Sequence, residues 1–201
     1  MQRPYSVLMW KSPVVRSILV LQVALLMLAL FLGAGPVQAQ AELPQETYLP
    51  LDLALQAASA ALVQCQADGY RVSVAVVDNG GALKVLLRDD GASTMSISSG
   101  TRKAYTAANF GRSTQELATA VAESPALEGL RQIDPQVLIL GGGLPIVVND
   151  VVLGGIGVGG APAGNLDEVC AQAGVNALLA ATGGPADSGT AGEPAGEVTA
   201  T

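Results

Sequence analysis

The stretch VLILGGGLPIVVNDVVLGGIGVGG, residues 137–160, decides between two folds. It is apolar and β-branched, it is broken by glycines, and its last six residues, Gly155 to Gly160, satisfy G-x-G-x-x-G. In a dinucleotide-binding fold that pattern joins a strand to a helix inside a βαβ unit, with an acid about 20 residues on. Here the helical segment NLDEVCAQAGVNALLAA, residues 165–181, is the last element, no strand remains to complete the unit, and Pro162 interrupts the approach. The glycines therefore read as a tightly packed strand end, not a nucleotide site. Gly141 to Gly143 are not followed by Lys-Ser/Thr, so they form no P-loop either. The stretch predicts two or three strands, with Asn149-Asp150 as a hairpin turn.

Upstream, YRVSVAVVD and ALKVLLR flank a turn at NGG, residues 79–81, which predicts a second hairpin. Leu51, Leu55, Ala58, Leu62 and Cys65 recur at helical spacing, and Gly69 closes that helix. Residues 94–110 read as helix. STQELATAVAE follows, with Ser113 and Glu116 spaced as a capping box and Pro125 just past its end. Asn165 and Glu168 stand at capping spacing in the last helix. The order α, ββ, α(α), ββ(β), α, with hairpins rather than crossovers, predicts an α+β single domain with a central antiparallel sheet and helices on its faces.

Both ends of the chain read as lying outside that domain. Arg3, Lys11 and Arg16 precede an apolar run from Ile18 to Leu32, then GAGP, then small-residue cleavage patterns ending at Ala39 and Ala41. This predicts a secretory signal peptide over residues 1–39, with an uncleaved anchor as the alternative. Residues 40–48 form a linker, 49–182 the folded domain, and 183–201 a Gly/Pro/Ala-rich tail expected to be disordered. The formal charge is −7; without residues 1–39, which hold three basic residues and no acid, seven basic groups face seventeen acids and it becomes −10. An acidic secreted or periplasmic protein lacks the Lys/Arg clusters that nucleic acid requires.

The chain has no histidine, which removes Ser-His-Asp and Cys-His sites and His-ligated zinc. The acids Asp167 and Glu168 open the last helix, where capping and facing a pocket are the two readings. Cys65 and Cys170, the only cysteines, each fall on the apolar side of a terminal helix. Antiparallel packing of those helices would bring the sulfurs together as a disulfide; two buried thiols are the alternative. In DDGASTMSISSGTRKAYTAANF, residues 89–110, hydroxyls suit a helix start, and Arg102 and Lys103 stand beside Tyr105 in an otherwise acidic protein. They read as holding an anionic ligand or as a solvated basic face.

VAVVDNGGALKVLLRDDGA, RKAYTAANF, GGGLPIVVNDVVLGGIGVGGAP and DEVCAQAG together resemble the GlcG/HbpS haem-binding family, whose module also ends PduO-type proteins, over about residues 50–180. The resemblance implies an α+β domain that assembles as a homo-oligomer and, in some members, binds haem and partners an envelope sensor. It places Asp90, Gly91, Ala92, Arg102, Lys103, Tyr105 and Thr106 at the border of a pocket. Relatives carry histidine about where this chain has Met95, so Met95 becomes a substitute haem axial ligand, with Tyr105 or Tyr70 as phenolate alternatives. The leading expectation is an exported, non-enzymatic binder of a small ligand, haem or a related tetrapyrrole, with Arg102 or Lys103 on the propionates. The others are an oligomeric interaction module, and an enzyme on a small acid or cofactor with Lys103 as base or Schiff-base former.

Overall fold

The computed structural model describes residues 13–32 and 47–183. The proposed cleavage patterns, most of the linker and the tail beyond residue 183 lie outside the described residues. The chain divides into two units, residues 1–45 and 46–201. In the first, the apolar run forms helix α1 (Pro13–Leu32). The second holds α2 (Leu51–Ala67), β1 (Ser73–Asp78), β2 (Leu83–Arg88), α3 (Thr94–Phe110), α4 (Thr114–Glu123), a 3-10 segment (Pro125–Gln132), β3 (Gly143–Val148), β4 (Val151–Gly159) and α5 (Gly164–Thr182).

Both predicted hairpins form, and their turns explain why. Asp78 Oδ1 accepts from the amides of Gly80 and Ala82 at 3.0 and 2.9 Å, closing the β1–β2 turn. Asn149 and Asp150 adopt φ of 50° and 62°, the pair of left-handed residues that a tight hairpin between twisted strands requires. The sheet is antiparallel throughout, in the order β2-β1-β4-β3. The apolar stretch contributes two strands rather than three, because residues 137–142 run outside the sheet.

Each face of the sheet carries helix. Val74 and Val76 of β1, Ile146 of β3 and Ile156 and Val158 of β4 pack with α2 and α5 in the main core. Ala75 and Val77 face the other way, onto Ala104 and Ala108 of α3. The glycines of β4 decide how close α3 comes. A Cβ at Gly155 would stand 2.9 Å from the Ala108 amide nitrogen, and one at Gly157 would meet the Gly100 carbonyl and Ala104 backbone. The G-x-G-x-x-G match is thus the bed on which α3 lies.

The helix stripe read in α2 needs correction. Ala54, Ala57, Ala58, Ala61 and Cys65 are buried, while Leu51 and Leu55 are 62% and 47% exposed. The reason is the close approach of α5: a Cβ at Gly174 would stand 2.6 Å from the Ala57 carbonyl and 3.2 Å from Ala61. Small residues meet at this contact, and the leucines turn outward. The helices run antiparallel, Gln56 donating to the Ala177 carbonyl and Cys65 joined to Cys170 in a disulfide with a Cα separation of 5.4 Å. The bond closes a loop of 105 residues. Replacing both cysteines by alanine is expected to lower unfolding free energy by about 4 kcal/mol in denaturant titration. Gly157→Val is expected to cost about 3 kcal/mol or more, since the α3 backbone has no slack to give.

Candidate functional site

The hydroxyl-rich start of α3 divides its labour. The Ser93 side chain accepts from the Met95 amide at 3.3 Å as the helix cap. Ser96 instead turns inward and shares a buried 2.7 Å hydrogen bond with Ser73 of β1. Thr101 returns its hydroxyl to the Ile97 carbonyl at 2.8 Å. These contacts fix which way the rest of α3 faces.

Lys103, expected at a pocket wall, is 1% exposed. Its Nζ donates to Asp167 Oδ2 at 2.6 Å and to the Val158 carbonyl at 2.9 Å. Asp167, itself 3% exposed, also accepts from the Ala161 amide at 3.0 Å. The amine is therefore spent inside the protein, and its expected roles as propionate partner, base or Schiff-base former are withdrawn. Burial pushes the Asp167 carboxyl above its ordinary range, against the lowering pull of Lys103. Thr106 is likewise withdrawn as a ligand contact. It is fully buried, donating to the Arg102 carbonyl and accepting from the Leu138 amide, both at 2.8 Å.

Around this pair the Gly141–Gly143 segment is held by side chains from α4 and α5. Thr114 accepts from the Gly143 amide at 2.8 Å, and Glu168 Oε2 accepts from the Gly142 amide at 3.3 Å. Ser113 donates to Glu168 Oε1 at 2.9 Å while accepting from the amides of Gln115 and Glu116, so the predicted cap is present. Glu116 pairs with Arg112 rather than reaching back to complete a capping box. Asn165 caps nothing: α5 starts at Gly164 with no side-chain cap. Asp167 and Glu168 serve neither of their expected readings; they anchor Lys103 and the glycine segment. Thr114 and Glu168 as anchors were missed, although three consecutive glycines signal peptide groups that need outside partners.

The remaining candidates occupy the outside of α3 and the turn before it. Arg71 Nη1 donates to the Asp90 carbonyl at 3.0 Å, and Gly91 takes φ 79°, which shapes the turn into α3. Tyr70 packs on the main core and lines a cleft of about 250 Å³ with Gln66, Gly69, Arg71 and Asp89. The Tyr105 ring lies against Gly81 and against the cluster of Leu117, Val121, Val137 and Ile139. Met95 is 80% exposed. Arg102 is half-buried: its Nη2 donates to the Val137 carbonyl at 2.8 Å, and its Nε is buried without a partner. Among the described residues no carboxylate pairs with it. Met95 and Arg102 are seven residues apart, two turns along one helix face and about 10 Å along the axis.

Two variants test the buried network. Lys103→Met leaves Asp167 buried without its cation and is expected to cost about 3–5 kcal/mol, while Lys103→Met with Asp167→Leu recovers much of that loss in a double-mutant cycle. Glu168 has its carboxyl raised by burial, against its hydrogen bonds from Ser113 and Gly142. A raised folded-state pKa favours the protonated form, so its contribution is full below the ordinary glutamate range and is lost as pH rises through the raised value. Because Glu168→Gln keeps one acceptor oxygen for the two donors Ser113 and Gly142 but does not ionise, the parent's melting temperature is expected to fall relative to the variant's as pH rises from about 4 to about 7.

Comparison with known proteins identifies the family. The family model described as "Haem degrading protein HbpS-like" matches residues 49–176. A crystal structure of an HbpS double mutant from Streptomyces reticuli is 46% identical and superposes with a TM-score of 0.63, covering 71% of this chain and 96% of that one. A crystal structure titled as a PduOC:heme complex is 28% identical with a TM-score of 0.60, covering 65% and 95%. An uncharacterized 15.0 kDa protein from Citrobacter freundii is 39% identical over 90 residues, 44% of this chain and 63% of that protein's length. With the family match spanning residues 49–176, nearly all of the folded unit, the chain belongs to the HbpS-like family.

Proposed function

We propose that this chain is an exported protein that binds haem or a related tetrapyrrole without an enzymatic cycle, and that it acts as a homo-oligomer. The observation that carries the reading is Arg102, a half-buried guanidinium with no carboxylate partner among the described residues, on the same face of α3 as the exposed thioether of Met95. Kinship with HbpS and with the PduOC:heme complex supports haem as the ligand class. The residues fit the rim of a porphyrin: Arg102 would hold a propionate, and Met95 would offer a weak axial sulfur where relatives are expected to carry histidine. Haem supplies redox and oxygen chemistry when bound. This chain's part is to orient the ring by its carboxylates. Leu83 and Leu86, 50% and 36% exposed on the α3 side of the sheet, would give the ring apolar contact.

A second reading, an oligomeric interaction module that partners an envelope sensor, draws on the outward leucines of α2. Leu51 and Leu55 present apolar surface that a neighbouring chain would cover. Hemin titration of the mature protein separates the two. The first reading expects a saturable Soret shift at micromolar hemin, about tenfold weaker binding for Arg102→Ala, and a displaced band for Met95→Ala. Folded protein that leaves the hemin spectrum unchanged would sink it and leave the module.

A further inference from the structure

The segment after the 3-10 turn carries a second arginine in register with the first. Arg131 Nη1 donates to the Ile139 carbonyl at 3.1 Å, and Arg102 Nη2 donates to the Val137 carbonyl at 2.8 Å. Val137 and Ile139 are both buried, with Leu138 half-buried and Leu140 49% exposed. The Leu140 amide donates back to the Leu138 carbonyl at 3.1 Å, so the chain turns at Ile139, and the α-carbons of Val137 and Ile139 are no more than about 7 Å apart. Two guanidiniums are therefore anchored on main-chain oxygens two residues apart. Beyond these bonds, Arg131 Nε meets Glu128 at 3.2 Å in a pair whose side chains are 39% and 61% exposed. Among the described residues, Arg102 Nη1 and Arg131 Nη2 have no protein partner.

Among the described residues Glu128 is the only acid paired with either arginine, which leaves positive charge unmatched on these two anchored cations in an acidic chain. Guanidinium forks match carboxylates, and two forks anchored two residues apart suit two carboxylates on one molecule. We infer that Arg102 and Arg131 form a two-point site for a dicarboxylate, with Arg131 setting the preference for two anionic groups over one. The inference shares Arg102 with the proposed function and, where the ligand is a tetrapyrrole, rests on that reading. The shared chemistry is a pair of carboxylates, and these come either from the propionates of a porphyrin or from a small free dicarboxylic acid.

The test uses the mature protein and its Arg131→Gln variant, with hemin, hemin dimethyl ester, succinate and acetate as probes. Folding is checked by circular dichroism, and Arg131→Lys keeps the charge without the fork. A porphyrin ligand is expected to bind the parent at least tenfold tighter as hemin than as its dimethyl ester, with Arg131→Gln removing most of that preference and Arg131→Lys restoring little. A free dicarboxylate is expected to show saturable succinate binding, weaker acetate binding, and loss of the difference in Arg131→Gln. Hemin and ester binding equally, unchanged in Arg131→Gln and with no succinate binding, would overturn the dicarboxylate site while leaving haem binding intact. Succinate binding without hemin binding would support the site and reject the haem reading.

Discussion

A single lysine amine joins the three layers of the domain. Lys103 leaves α3 on one face of the sheet, touches the Val158 carbonyl at the end of β4, and ends on Asp167 of α5, which packs on the opposite face. Burying two charges at 1% and 3% exposure costs desolvation that their 2.6 Å contact, the Val158 carbonyl and the Ala161 amide offset. The geometry that satisfies them is accordingly narrow. A Cβ at Gly142 would stand 2.9 Å from Nζ, so the neighbouring loop must be glycine for the amine to reach its partners. The rest of the sheet end is organised around that requirement, with Thr114 and Glu168 taking the amides that the glycines expose.

Close approach is the other constraint, and it appears twice. The β4 glycines let α3 settle on backbone, and Gly174 lets α5 settle on the alanines of α2. Both contacts trade side-chain volume for proximity. The same proximity leaves Leu51 and Leu55 outside. Apolar surface that an ordinary two-layer packing would bury is thereby left exposed.

Much of the fold was legible in the sequence. Hairpin turns advertise themselves through NGG and Asn-Asp, the cap at Ser113 through its hydroxyl, and the antiparallel class through hairpin rather than crossover connections. Two cysteines on the terminal helices left a disulfide and two buried thiols both open, and the antiparallel packing of α2 on α5 decides for the bond. What failed to show was rotation and depth. Helical spacing marked Leu51 and Leu55 as core because leucine is large and apolar, but a stripe of alanines 60° or so around the helix fits a close-packed neighbour better. Charge misled in the same way at the site. Lys103 beside Arg102 read as one cationic patch, yet adjacent helical residues point about 100° apart, one into the protein and one along its surface. The partner that explains Lys103 lies 64 residues downstream, beyond any local pattern.

The disulfide joins the domain's first helix to its last, and β1, near the start, pairs with β4, near the end. No early portion of the chain thus owns a finished core. A growing polypeptide must hold α2 and the first hairpin waiting until α5 has emerged, and only then do sheet, helices and sulfur–sulfur bond close together. Synthesis and assembly are separate events for this domain.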